Sequence, residues 1–158
     1  MKYLMVFVIA CGLAAGTAAW AGGSAPPKPS AKDKCPVCGM FVAKYPDFLA
    51  SIGYKDGTWV YFDGAKDMFK YYLNMAKYDP SRQTSDIINI YVTDYYTLSP
   101  VKALGATYII GSDIYGPMGR ELIPFEKEDD AREFMRDHHG KSLVRFGAVN
   151  LSLVKSLD

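Results

Sequence analysis

Metal-ligand and nucleophile residues are scarce in this chain of 158 residues, which carries three cysteines and two histidines. The histidines, His138 and His139, are adjacent and not spaced for joint chelation from one helix face. There is no second Cys-x-x-Cys pair. A structural zinc knuckle, which draws four ligands from two such pairs or from one pair and two spaced histidines, is therefore disfavoured. Charge of one sign is also lacking. The formal net charge is +1, so no bulk field favours nucleic acid or acidic lipid as a partner. No HExxH, phosphate loop or dinucleotide fingerprint occurs, and neither histidine has a triad partner at motif spacing. Those absences remove the common enzyme classes, and the chain reads as non-enzymatic.

The N-terminus reads as an export signal over residues 1–21. Lys2 supplies a short positive region, Tyr3 to Ala19 is apolar or small, and Ala19-Trp20-Ala21 places the cut before Gly22. Val8-Ile9-Ala10-Cys11 resembles a lipobox but leaves only ten residues before the cysteine. Cys11 is better read as part of the apolar region, so membrane attachment lacks a good lipobox. Export implies a periplasmic location, where thiols tend to oxidise. Residues 22–34, rich in Pro, Gly, Ser and Lys, read as a flexible linker.

What is present is an α+β pattern in two tandem copies. In the first, over 35–100, Phe48 to Tyr54 and Thr58 to Phe62 read as strands around an Asp56-Gly57 turn. Asp63 is the expected N-cap of a helix whose apolar face carries Ala65, Met68, Phe69, Tyr72, Leu73 and Ala76. Asp79-Pro80 stops it, and Ile87 to Tyr96 is a third strand. In the second, over 101–158, Ala106 to Gly111 and Glu121 to Phe125 are strands separated by a loop, Ser112 to Arg120. A helix with Ala131, Phe134, Met135 and His138 on one face ends at Gly140. Ser142 to Val154 is expected as a final long strand or strand pair. The expected architecture is two ββαβ repeats packed into one unit, since neither alone buries enough core.

The chemistry concentrates in Cys35-Pro36-Val37-Cys38-Gly39-Met40. Cysteines at i and i+3 can aim both sulfurs at one point in a tight turn, stiffened by Pro36 and relaxed by Gly39. Met40 can bring a thioether back beside Cys38. A Cys35–Cys38 disulfide would close a very small loop of little entropic value. A thiol–disulfide oxidoreductase would place the pair at a helix N-terminus, and no helix pattern follows here. Cu(I), a soft d10 ion content with two or three sulfurs, explains the cluster best. Met118, in Gly116-Pro117-Met118-Gly119, is either a further thioether ligand or a packing residue between the repeats. Met68, Met75 and Met135 read as packing residues. His138 reads as a core or helix-end residue, with positive charge mildly favourable there. His139 is a candidate auxiliary ligand, and Asp129-Asp130 is first-turn helix charge.

Taken in order, the motifs resemble the NosL family, accessory proteins of nitrous oxide reductase assembly. They are CPVCGM, Tyr61-Phe62-Asp63 before Met68-Phe69, Tyr91-Val92-Thr93-Asp94, Tyr108 to Ser112, Pro117-Met118-Gly119, Pro124-Phe125 and His139-Gly140. The resemblance implies a periplasmic or membrane-attached Cu(I) chaperone with two ββαβ halves. It implies copper carried chiefly by Cys38 and Met40, with Met118 as a third sulfur; Cys35 stays a candidate from the residue pattern alone, as a ligand, a redox guard or a bystander. The implied partner is a copper-receiving cuproenzyme or its assembly complex. The competing readings are a thiol–disulfide oxidoreductase using Cys35 and Cys38, and a YHS-like metal-binding module without a transfer role.

Overall fold

The computed structural model describes residues 25–158. The export signal expected over 1–21, Cys11 and residues 22–24 lie outside the described residues. Residues 25–34 follow the body of the protein. Pro26, Pro27 and Pro29 line a groove with Val42 and Leu49, and the Tyr61 hydroxyl donates to the Pro27 carbonyl at 3.0 Å. Among the described residues no helix is long and apolar enough to cross a membrane.

The first half is a four-stranded antiparallel sheet. Its strands are β1 (Ala50–Tyr54), β2 (Trp59–Phe62), β3 (Ile87–Thr93) and β4 (Pro100–Lys102), in the order β2-β1-β3-β4. Every residue of β1 is buried, as expected of a central strand covered on both faces. Helix α1 (Ala65–Tyr72) and the short α2 (Met75–Tyr78) lie between β2 and β3.

The second half repeats the connectivity with β5 (Thr107–Ile110), β8 (Ile123–Phe125), α3 (Glu128–Asp137) and β9 (Ser142–Arg145), in the sheet order β8-β5-β9. In both halves the first strand lies between the second and third, with a helix between them in sequence, which is the expected ββαβ order. A small hairpin, β6 (Tyr115–Gly116) and β7 (Gly119–Arg120), sits in the segment expected as plain loop. Its tip is Pro117-Met118.

Side chains of α1 join the halves. Phe69 is fully buried and meets Tyr108 of β5 edge-on at 5.3 Å and Phe146 at 4.9 Å. A satellite core under α3 holds Ile109, Ile123, Phe125, Ala131 and Phe134.

Several expectations are corrected. The single helix over 65–76 divides at Leu73-Asn74, where Asn74 leaves the helical conformation and takes the N-cap position of α2, a position asparagine favours over a helix interior. The third strand ends at Thr93 because the buried Asp94 carboxylate accepts the N–H groups of Tyr96 and Thr97, forming a turn before β4. The final strand ends at Arg145. A 3-10 turn, Phe146–Ala148, and α4 (Leu151–Lys155) replace its remainder. Asn150 caps α4 by accepting from the Leu153 N–H at 3.0 Å. Asp63 does not cap α1: Gly64 takes the N-cap position with no cap from its own side chain.

Candidate metal centre

The CPVCGM segment folds into a knuckle. Lys34 and Phe41 form an antiparallel bridge at its base. Inside it, the Cys35 N–H donates to the Met40 carbonyl at 2.9 Å, and the Gly39 N–H donates to the Cys35 carbonyl at 2.8 Å. Gly39 takes φ +79°, the left-handed conformation that this turn requires and that glycine adopts without steric cost. The tight loop brings both sulfurs to one side. Cys35 is buried and Cys38 half-buried, and both are free thiols.

Two carboxylates close the cluster. Cys38 Sγ donates to Asp63 Oδ1 at 3.2 Å, and Cys35 Sγ donates to Asp67 Oδ2 at 3.4 Å. One ligand atom from each of Cys35, Cys38, Asp63 and Asp67 lies within 4.8 Å of all the others. Both acids are almost wholly buried. Each keeps one buried oxygen without a hydrogen bond, Asp63 Oδ2 and Asp67 Oδ1, although Lys70 Nζ stands 3.6 Å from the latter. Buried carboxylates left short of partners are costly, and a cation among them would remove that cost. Two thiols and two carboxylates thus fit a bound metal ion.

Both thiols are shifted toward the protonated form. Burial pushes Cys38 up to about 12, with the hydrogen bond to Asp63 adding to the effect. Burial also pushes Cys35 well above the ordinary thiol range, and the Asp63 and Asp67 carboxylates act in the same direction. That is the reverse of a thioredoxin-type nucleophile, whose thiol is depressed.

The structure places the sequence-predicted residues as follows. Cys35 and Cys38 meet in the cluster. Met40 is half-buried in the same knuckle and closes it through its carbonyl. Met118 is 42% exposed and lines a cleft of about 420 Å³ together with Val37, Cys38 and Asp67. The hairpin therefore brings Met118 to the mouth of the cluster from the second half of the chain. The histidines lie elsewhere. His138 stacks on Phe134 at 4.4 Å and pairs with Asp113 at 3.0 Å, as a helix-end residue. His139 lines a separate cleft with Arg120 and Lys141.

Sequence reasoning missed Asp63 and Asp67 as members of the site. The available signal was a pair of acids flanking the start of α1, Asp63 just ahead of the N-cap Gly64 and Asp67 in the first turn. It was obscured because an Asp before a helix ordinarily reads as a cap and one in its first turn as dipole charge. Lys66 and Glu121, which brace the hairpin, were missed too. Lys66 Nζ donates to the Met118 carbonyl at 2.8 Å, and the Lys66 N–H donates to Glu121 Oε1 at 2.5 Å. Burial pushes Glu121 up to about 8.

Comparison with known proteins agrees with this architecture. A crystal structure described as the copper chaperone NosL from Shewanella denitrificans superposes with a TM-score of 0.64 at 25% identity, covering 80% of this chain and 99% of that one. A solution structure of apo-NosL from Achromobacter cycloclastes overlaps more loosely, with a TM-score of 0.46 at 24% identity, covering 66% of this chain and 87% of that one. The copper-binding lipoprotein NosL of Stutzerimonas stutzeri is 27% identical over 131 residues, covering 78% of this chain. The chain spans 65% of that relative's length. The NosL family model matches residues 26–154, and with nearly the whole described structure inside that match, the chain belongs to the NosL family.

Proposed function

We propose that this protein is a non-enzymatic, exported Cu(I) chaperone that carries copper at the knuckle and passes it to a periplasmic cuproenzyme. Nitrous oxide reductase is the proposed client, as the family resemblance implies. The proposed copper ligands are Cys38 and Met40, with Cys35 and Met118 completing a sulfur set suited to Cu(I). The observation that carries the reading is the convergence of both cysteine sulfurs with two buried carboxylates, in a cleft that Met118 also lines. Such a site offers soft donors at its mouth and negative charge behind them. A half-exposed thioether suits transfer, because a neutral ligand at the surface is easily exchanged for one from an acceptor.

The raised thiols weigh against the oxidoreductase reading, since the thiolate is the attacking species in disulfide exchange. The carboxylates make borderline divalent ions such as Zn²⁺ natural competitors, because zinc accepts both cysteine and aspartate. Proximity to a membrane is proposed from the relative named a lipoprotein.

The test is anaerobic titration of the reduced protein with Cu(I) against a chromophoric Cu(I) chelator, with Zn²⁺ as competitor. The expected stoichiometry is about one Cu(I) per chain, with binding lost in Cys38→Ser. Unchanged Cu(I) affinity in that variant would overturn the assignment.

A further inference from the structure

The copper chemistry above makes no use of a wholly buried lysine behind the hairpin. Lys66 is 1% exposed, a placement lysine almost never takes unless its ammonium is fully partnered. Its partners here join three parts of the chain. Nζ donates to the Met118 carbonyl at 2.8 Å and to the Leu157 carbonyl at 3.2 Å, and stands 3.5 Å from the Asp158 carboxylate. The backbone N–H of the same residue donates to Glu121 at the base of the hairpin. The hairpin is thus tied at its tip and at its base to one residue of α1. The next residue, Asp67, turns its carboxylate to Cys35. The first turn of α1 therefore sets both walls of the cleft, the cysteine wall through Asp67 and the methionine wall through Lys66.

A buried, satisfied charge contributes little net stability, and its best-attested use is to select one arrangement over its alternatives. An apolar side chain at position 66 could fill the same volume but would leave the tip carbonyl without a donor, so the hairpin height would no longer be fixed.

We propose that Lys66 is a positioning residue that holds Met118 across the cleft from Cys38, and so decides whether bound Cu(I) gains its sulfur from the hairpin. The inference rests on the proposal that Met118 is a copper ligand. Lys66 itself touches no copper.

The experiment compares Lys66→Met, Lys66→Gln, Met118→Ala and the double variant Lys66→Met/Met118→Ala in the full chain. Far-UV circular dichroism establishes folding. Chelator competition measures Cu(I) affinity, and X-ray absorption at the copper edge counts sulfur neighbours. Lys66→Met is expected to lose one sulfur neighbour and about tenfold in affinity, the same loss as Met118→Ala, with no further loss in the double variant. Lys66→Gln, which keeps a donor, is expected to fall between Lys66→Met and the unsubstituted protein. It takes the place of Lys66→Met in the comparison if the latter does not fold. A Lys66 variant that keeps its sulfur count and affinity while Met118→Ala loses both would overturn the positioning role alone. A Met118→Ala variant that binds copper unchanged would overturn the ligand role of Met118, and the positioning role with it. Losses that add in the double variant would show that Lys66 acts on copper by another route and would also overturn the proposal.

Discussion

Cys38 meets Asp63 across 25 residues of chain, with its thiol 3.2 Å from the carboxylate. A thiol that donates to a buried carboxylate holds its proton, and burial pushes Cys38 up to about 12. The metal-free protein is therefore expected to alkylate slowly at Cys38 near neutral pH, well below the rate of a small free thiol. In Asp63→Asn the rate is expected to rise several-fold, because one cause of the elevation is removed. Mass-resolved iodoacetamide kinetics as a function of pH measures both. A rate in the wild type matching an ordinary thiol would contradict the assigned protonation state.

Gly64 has no room for a side chain. A Cβ there would collide with Glu121 Oε2, because the Glu121 carboxylate reaches the backbone at the start of α1. Gly64→Ala is expected to destabilise the fold by about 1–3 kcal/mol, as over-packing generally does. Part of that loss should return when Glu121→Ala is added, since the two residues are in contact and their effects are not additive. Urea unfolding of the four proteins of this cycle tests the prediction, and strict additivity would count against it.

Glu121 also links stability to pH. Its folded value, raised to about 8 by burial, lies above its ordinary value of 4.5. A carboxyl raised in the folded state binds its proton more tightly there than in the unfolded chain. Its contribution to stability is therefore complete below the ordinary value and is lost as pH climbs through the folded one. Between pH 5 and 8 stability is expected to fall by up to about 1.4 kcal/mol per pH unit from this group. Glu121→Gln should flatten that slope. Denaturation midpoints across the range, in both proteins, provide the measurement.

Phe69 joins the halves through Tyr108 and Phe146. Phe69→Ala is expected to cost about 3–5 kcal/mol, the usual loss for a buried aromatic. Both sheets should weaken together, because the deleted ring belongs to the core they share. Hydrogen exchange resolved over β1 and β5 should show both protected segments opening at once; loss confined to one sheet would show that the halves are independent.

Local signals identified most of the elements. The run of β-branched and aromatic residues from Thr58 to Phe62 and the apolar faces carrying Ala65 and Ala131 depend on near neighbours, so they can be read from a single chain. The departures have local causes too: the side chains of Asp94 and Asn150 bond the backbone and end or begin elements, and Asn74 sits at the N-cap of α2. Those contributions compete with apolar periodicity and are outweighed in a reading that follows the periodicity alone.

The sequence by itself determined the knuckle. Two cysteines three apart, a proline between them and a glycine after them close a loop of fixed size, whatever surrounds it. It also determined the family, because the ordered motifs extend over nearly the whole folded region. Only the tertiary structure decided what faces the sulfurs. Asp63 and Asp67 enter because α1 begins beside the knuckle, and Met118 enters because a hairpin from the other half is tied to Lys66. Contacts between residues so distant in sequence depend on how the two sheets pack around α1, and no local pattern encodes that packing.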